Sequence, residues 1–399
     1  MADFKKSKDP RAPPSWIDVA LIQQALRNSG EENAQVAAIS VGCATSKGDN
    51  YASTIYRVKV TLTDRGERSL IVKGPEPWQT EESRSFVRET IMLTEVLPQL
   101  EAMLEEAFPG SRPRLGPRCH HHGSSPVQFI VMEDLGPQGF RLGDRRRGLG
   151  LRHSLLALRG LARYHAASHA LLRRQPEATR QLDNLWLSMA PPVTRFVHSG
   201  LQATADACRG WPGCEQLAPR LERFKDVAME TFTKLNEPKP GAFNVLVHGD
   251  FWINNLMFRY EDGEVADFLP VDFQFPHEAS PAIDLLYFLG GSVSDNVHAH
   301  HQDLLLREYH GELRRTLQLL GCQAPSLEAL LSAVEAHGAF SLFMATCGVA
   351  NLRTGGGADI PAMYRGEHAR LAPLFEVPGV AAWLRRVLPD YARRGWLPA

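Results

Sequence analysis

Ahead of residue 150 helical stretches are interleaved with extended ones, and from Gly150 onward the apolar positions recur at helical spacing. Residues 17–27 form a first helical stretch, and 36–41 begin an extended one that runs into the turn-rich segment 46–53. Residues 54–61 alternate and are rich in β-branched and aromatic side chains, 63–66 read as a turn, and 69–73 as a strand ending in Lys73. Residues 83–100 return to helical spacing, with Phe86, Ile91, Leu93, Val96 and Leu97 on the pattern and Glu89 within it. An apolar strand over 127–132 stops at Glu133, Asp134, Leu135, Gly136 and Pro137, where a Gly-Pro step ends regular structure. This stop reads as a hinge between two parts of the chain.

Past the hinge the spacing predicts helices over 151–168, 218–235, 304–320, 327–349 and 379–387. One stretch breaks that pattern: 254–260 alternates, 261–264 is a polar turn with Gly263, and 265–271 is again largely apolar, which predicts a β-hairpin. The segment 182–212, with Trp186, Pro191, Pro192, Phe196 and Trp211, is aromatic and irregular and is a candidate cover for a substrate, although such residues more often belong to a core. The expectation is an α+β fold in two lobes. Residues 1–135 would form a small N-terminal lobe of antiparallel sheet plus helix, and 136–399 a large, mostly helical C-terminal lobe.

Composition adds mainly exclusions. With 399 residues, 44% of them hydrophobic, the chain can bury a substantial core. The 44 basic residues balance 45 acidic ones, so neither nucleic acid nor a membrane surface is expected as the main partner. Residues 1–16 lack the apolar run of a signal peptide, and stretches such as 283–293 are too short or interrupted to span a bilayer. Cys43, Cys119, Cys208, Cys214, Cys322 and Cys347 lack paired metal spacing and are expected to be reduced core thiols. Together these place the protein in the cytosol. The runs His120 to His122 and His298 to His301 read as solvated or structural, because adjacent imidazoles rarely converge on one ion. Arg145 to Arg147 reads as a polar turn.

The chemistry concentrates in His248, Gly249, Asp250, Phe251, Trp252, Ile253, Asn254 and Asn255, followed by Asp272 after the predicted hairpin. An Asp, an Asn five positions on and a second Asp beyond a hairpin is the order in which kinases place a catalytic base and two magnesium ligands. Transfer of a γ-phosphoryl group needs a carboxylate to accept the hydroxyl proton and a divalent cation against the phosphates. Asp250 would be the base, and the hairpin would return Asp272 to the side of Asn255. Upstream, strand residue Lys73 and helix residue Glu89 match the ion pair that turns a lysine toward the α- and β-phosphates. Backbone groups of Met132, Glu133 and Leu135 at the hinge could pair with an adenine edge.

These residues, with Leu256, Met257 and Phe258, the Asp272-Phe273-Gln274 triplet, Glu133-Asp134-Leu135, the stretch Leu161 to Ser168, and Pro281 to Leu285, resemble the ecdysteroid kinase-like family. That family lies in the larger group containing aminoglycoside phosphotransferases and choline kinases, with a bilobal protein-kinase-like fold. Trp252 and Gln274 carry the more specific part of the resemblance. It implies Asp250 as catalytic base, Asn255 and Asp272 as magnesium ligands, and Lys73 with Glu89 orienting the phosphates of ATP. It implies His248 and Asp284 as scaffolding for the loop. Gly-x-Gly-x-x-Gly is missing, so Gly48, the backbone around Asn50 to Ser53 and the Ser53 hydroxyl would contact phosphate instead. The acceptor would be a hydroxyl of a small lipophilic molecule, an ecdysteroid or related steroid being the best-known class. An amino alcohol such as choline, a xenobiotic hydroxyl, or a nucleotide-binding pseudokinase are the alternatives.

Overall fold

The computed structural model describes residues 13–44, 53–64, 66–75, 84–185 and 190–399. Strands β1 (Val36–Cys43), β2 (Thr54–Leu62), β3 (Glu67–Gly74), β4 (Cys119–Gly123) and β5 (Phe129–Glu133) form an antiparallel sheet in the order β1-β2-β3-β5-β4. Alternation along each strand decides which face a side chain serves. On β5, Phe129 and Val131 join Val58, Val60, Leu70 and Val72 in a cluster with Ile22, Ala25 and Leu26 of α1 (Val19–Asn28). Ile130 and Met132 point the other way, into the cluster that holds Leu97 and Leu100. Lys73 lies opposite Ile130 in the β3–β5 register, so it shares that second face. The helix there is α2 (Arg84–Ile91), which continues through a π turn, Met92–Val96, into α3 (Leu97–Ala107) and so outruns the stretch expected over 83–100.

Beyond the hinge, β6 (Phe140–Leu142), β8 (Leu256–Glu261) and β9 (Glu264–Pro270) form a three-stranded sheet, and β7 (Val245–Val247) pairs with β10 (His277–Ala279). The predicted hairpin is β8–β9. It turns at Asp262 and Gly263, both at positive φ, the pattern of an Asp-Gly hairpin turn. The long helix α4 (Leu151–Arg174) lies against β7, β9 and the helix Gln302–Leu319. The largest apolar cluster runs without interruption from α2 and α3 into this helical part. The fold is therefore α+β, as expected, with an antiparallel sheet ahead of a larger helical portion.

Two expected elements are corrected. Residues 327–349 are not one helix: Leu327–Ala336 and Ala339–Arg353 meet at a 47° bend. A Cβ on Gly338 would stand 2.1 Å from the Trp396 ring, so the indole packs where a continuous helix would need side-chain room. Apolar periodicity persists on both sides of the break, which is why the pattern hid it. The segment read as irregular holds the 20-residue helix Ala190–Arg209 instead. Pro191 and Pro192 sit in its first turn, where their missing amide hydrogens have no intrahelical role. Phe196 and Trp211 pack against the main core, and Trp186 lies outside the described residues.

The cysteine expectation holds for Cys208, Cys214 and Cys347, which are buried, while Cys43 is exposed and Cys119 and Cys322 are intermediate. His120 to His122 occupy the edge strand β4, and His298 is buried against Trp383. Among the described residues no group of three or more His, Cys, Asp or Glu could hold a metal ion, and no single helix is long and apolar enough to cross a membrane.

Candidate active site

The loop after β7 is held from beneath by one carboxylate. Asp284, fully buried on the helix Ala282–Gly291, accepts the amide hydrogens of His248 at 2.7 Å and Gly249 at 2.9 Å. His165 of α4 lies 3.0 Å from the same carboxylate, and its other ring nitrogen is 2.8 Å from the Tyr309 hydroxyl. Burial alone would raise the Asp284 carboxyl; the bond from His165 and the charges and amides around it hold it below the usual carboxylate range. This brace fixes the chain at Gly249, directly before Asp250, which is half-buried.

Asp250 is locally paired with Asn255. The Asn255 Nδ2 donates to Asp250 Oδ2 at 2.8 Å and to the Asp250 carbonyl at 3.0 Å. Burial first, and then the negative charge of Asp272, push the Asp250 carboxyl up to about 7 against the lowering effect of Asn255. The hairpin closes when the Val271 amide donates to the Asn255 carbonyl at 2.9 Å, with Leu256 paired to Pro270. Asp272 follows at φ 69°, a left-handed conformation that a non-glycine residue adopts only under constraint. His248 supplies part of that constraint: its Nε2 is 3.2 Å from the Val271 carbonyl and its ring packs on Phe273 at 4.7 Å. Burial lowers its pKa, so the ring is neutral at neutral pH and acts as scaffold.

The upstream half of the site arrives from the sheet. Lys73 Nζ donates to Glu89 Oε2 at 2.5 Å and to Asp272 Oδ1 at 2.7 Å. Burial works against the Lys73 ammonium, but the carboxylates of Asp272 and Glu89 together hold its pKa above the ordinary value. Glu89 is itself raised by burial. The other Asp272 oxygen accepts from Gln274 Nε2 at 3.2 Å. Lys73, Glu89, Asp272 and Gln274 thus form one polar set and Asp250 with Asn255 a second, the two held side by side by the Val271 amide on the Asn255 carbonyl.

At the hinge, Met132 and Leu135 are buried, and Leu135 packs with Phe140, Leu269, Met257 and Val271 next to Asp272. The Glu133 amide already donates to the Arg118 carbonyl, and the Leu135 carbonyl already accepts from Gln138 and Phe140. The Glu133 carboxylate takes the Arg118 amide and the side chains of Arg114 and Gln138. Ser53 is buried at the start of β2, while Gly48 and Asn50 lie outside the described residues.

Two residues support the site in ways that local sequence does not show: Arg88, absent from the sequence reading, and Asp134, which the sequence marks only within the strand stop and the family resemblance. Arg88, beside Glu89, is buried and donates to the carbonyls of Gln274, Pro276 and Gln181 and to Asp183, tying α2 to the segment between Asp272 and β10. Its burial lowers the guanidinium pKa to about 10 despite Asp183. Asp134 accepts from Arg57, Ser69 and the Gly136 amide and so braces the hinge. A buried charge inside an amphipathic helix is the only local hint for Arg88, and periodicity cannot name its partners.

The profile of the ecdysteroid kinase-like family matches residues 47–322. Among solved structures, the GDP and kanamycin complex of the aminoglycoside phosphotransferase APH(2")-IIIa shares 11% identity, with 92% of this chain and 99% of that one covered and a TM-score of 0.43. Choline kinase LicA from Streptococcus pneumoniae shares 11% identity over 90% of this chain and 99% of its own, with a TM-score of 0.42. No curated protein matches the chain.

Proposed function

The chain belongs to the ecdysteroid kinase-like family, and from that premise we propose that it transfers the γ-phosphoryl group of ATP to a hydroxyl of a small lipophilic molecule, an ecdysteroid or related steroid being the leading class. The observation that carries this reading is Lys73 Nζ bonded to both Glu89 and Asp272, because it joins two halves of a phosphate site across 199 sequence positions. We place the reaction in the cytosol, with the nucleotide between a lobe of residues 1–135 and one of 136–399.

In this reading Asp250 accepts the hydroxyl proton as the acceptor oxygen bonds to the γ-phosphorus and ADP departs. Its raised carboxyl makes it a better base than a free aspartate. Lys73, kept charged by two carboxylates, meets the α- and β-phosphates, and we assign contact with the phosphate chain to Ser53 together with Gly48 and Asn50. The Leu135 amide and Glu133 carbonyl serve the adenine edge beside Met132, since the Glu133 amide and Leu135 carbonyl are engaged internally. Asn255 and Asp272 would hold magnesium: a carboxylate and an amide oxygen are the hard donors this ion takes, and the Asn255 nitrogen is already committed to Asp250. When bound, the ion neutralises charge on the β- and γ-phosphates.

A screen of ATP consumption with magnesium over steroid, amino alcohol and glycoside libraries, with mass spectrometry of the product, tests the proposal. Asp250→Asn should lower turnover of the identified acceptor by about a thousandfold. A variant that phosphorylates at near wild-type rate would overturn the role of Asp250, and ATP binding without transfer to any alcohol would favour the pseudokinase reading.

A further inference from the structure

Asp272 is gripped on both of its carboxylate oxygens. Lys73 Nζ donates to Oδ1 at 2.7 Å, and Gln274 Nε2 donates to Oδ2 at 3.2 Å. The Gln274 amide has to present its nitrogen here, because its oxygen would face an anion. Gln274 is buried, so the amide is withdrawn from bulk water. Phe273 between the two residues is committed to the core, with its ring 4.7 Å from that of His248.

Gln274 is itself anchored from α2. Arg88 Nε donates to the Gln274 carbonyl at 3.3 Å, a second arm of the same guanidinium reaches the Pro276 carbonyl, and the third bonds the Gln181 carbonyl at 3.2 Å and Asp183 at 2.8 Å. A guanidinium is a rigid fork, so carbonyls two positions apart are fixed relative to each other. The carbonyl between them, that of Phe275, is engaged elsewhere: it lies 3.0 Å from His277 Nδ1, and a Cβ on Gly249 would fall 2.3 Å from its oxygen. Residues 274–276 are therefore seated between α2 and the Gly249 turn. Arg88 and Glu89 are adjacent in sequence, so the contacts close into a ring that runs through Glu89, Lys73, Asp272, Gln274 and Arg88.

The ring shows what Gln274 adds. An ammonium is a compact point charge with three donors and no preferred plane, so Lys73 by itself would draw both Asp272 oxygens onto it. The Gln274 amide holds Oδ2 off Lys73, and each carboxylate oxygen keeps a lone pair beyond the one already engaged. Resting on the kinase reading above, we propose that Gln274, anchored by Arg88, is a positioning residue: it holds the Asp272 carboxylate open toward a divalent cation and its nucleotide instead of letting it close on Lys73.

Two measurements on the full chain test this. The first uses no ligand: a double-mutant cycle of Asp272→Ala and Gln274→Ala in denaturant unfolding, where the two single losses in the unfolding equilibrium constant should fail to multiply by about tenfold. Losses that simply multiply overturn the inference. The second is calorimetric titration with ADP in magnesium and again in EDTA. With magnesium, Gln274→Ala should weaken binding by about tenfold or more, and Gln274→Asn, one methylene short, should do the same. In EDTA both should match the wild type, whereas a merely structural role would lower affinity equally in both buffers and overturn the inference, as would unchanged affinity in magnesium. Arg88→Lys keeps the charge without the fork and should lose the same magnesium-dependent part. Circular dichroism verifies that the variants are folded, and Gln274→Ala, which keeps the carbonyl that Arg88 holds, is the safer of the two positions. A wild type that binds no nucleotide refutes the kinase reading, and the ligand-free cycle still decides whether Gln274 holds Asp272.

Discussion

Gly249 carries the sharpest steric constraint in the site. Its φ is 78°, and a Cβ there would lie 2.3 Å from the Phe275 carbonyl oxygen, which is backbone and cannot rotate away. Both its amide and that of His248 must point at Asp284, so the loop has no alternative path. Gly249→Ala is expected to destabilise the fold by about 3 kcal/mol, from backbone strain plus displacement of the β7–β10 region. Denaturant unfolding of the variant checks this, and a loss under about 1 kcal/mol would mean that the loop relaxes freely. Asp250, Asn255 and Asp272 stand out in the sequence because the roles proposed for them admit few residue types and their spacing is local. Arg88, Asp134 and His165 act through partners far along the chain, and nothing adjacent to them in sequence announces those partners.

At the scale of elements, the strand β10 carries a buried histidine whose ionisation couples to folding. His277 lies 3.0 Å from the Phe275 carbonyl and 2.9 Å from Asn236 Oδ1, and burial pushes its pKa down to about 4. Asp284 and Asp183 pull it upward and Arg88 downward, without overcoming burial. The native state therefore keeps His277 neutral, while the unfolded chain takes up a proton below about 6.5, so this residue's contribution is present above that pH and is lost as pH falls toward 4. Between pH 7 and pH 5 the loss should be about 2 kcal/mol. Guanidinium unfolding of wild type and His277→Gln at both pH values tests it: the gap between the two proteins should shrink at pH 5, and an unchanged gap would show that His277 does not titrate with folding. Element placement was legible where a period is sustained, as in α4 and the β8–β9 hairpin. It failed at Gly338 and at residues 190–209, where a distant Trp396 and two prolines tolerated in a first turn outweighed the local signal.

For the whole molecule, any ligand held at the proposed site by Lys73 and Asp272 would stabilise the fold, because it binds the folded chain and not the unfolded one. Magnesium with ATP at about a hundred times its Kd should stabilise the protein by about 2.7 kcal/mol. Thermal scans with and without EDTA measure this, and Asp272→Asn should remove most of the effect. A full stabilisation that survives EDTA would refute Asn255 and Asp272 as the metal's holders. By itself the sequence determined the α+β class and the order of Lys73, Glu89, Asp250, Asn255 and Asp272, because period and residue chemistry are local properties of a chain. Only the tertiary structure decided that Lys73 reaches Asp272 and that Asp284 and His165 brace the loop. Those pairings depend on how helices and strands pack across long sequence separations, and a pattern of burial states that a side chain is inside without stating what it meets there.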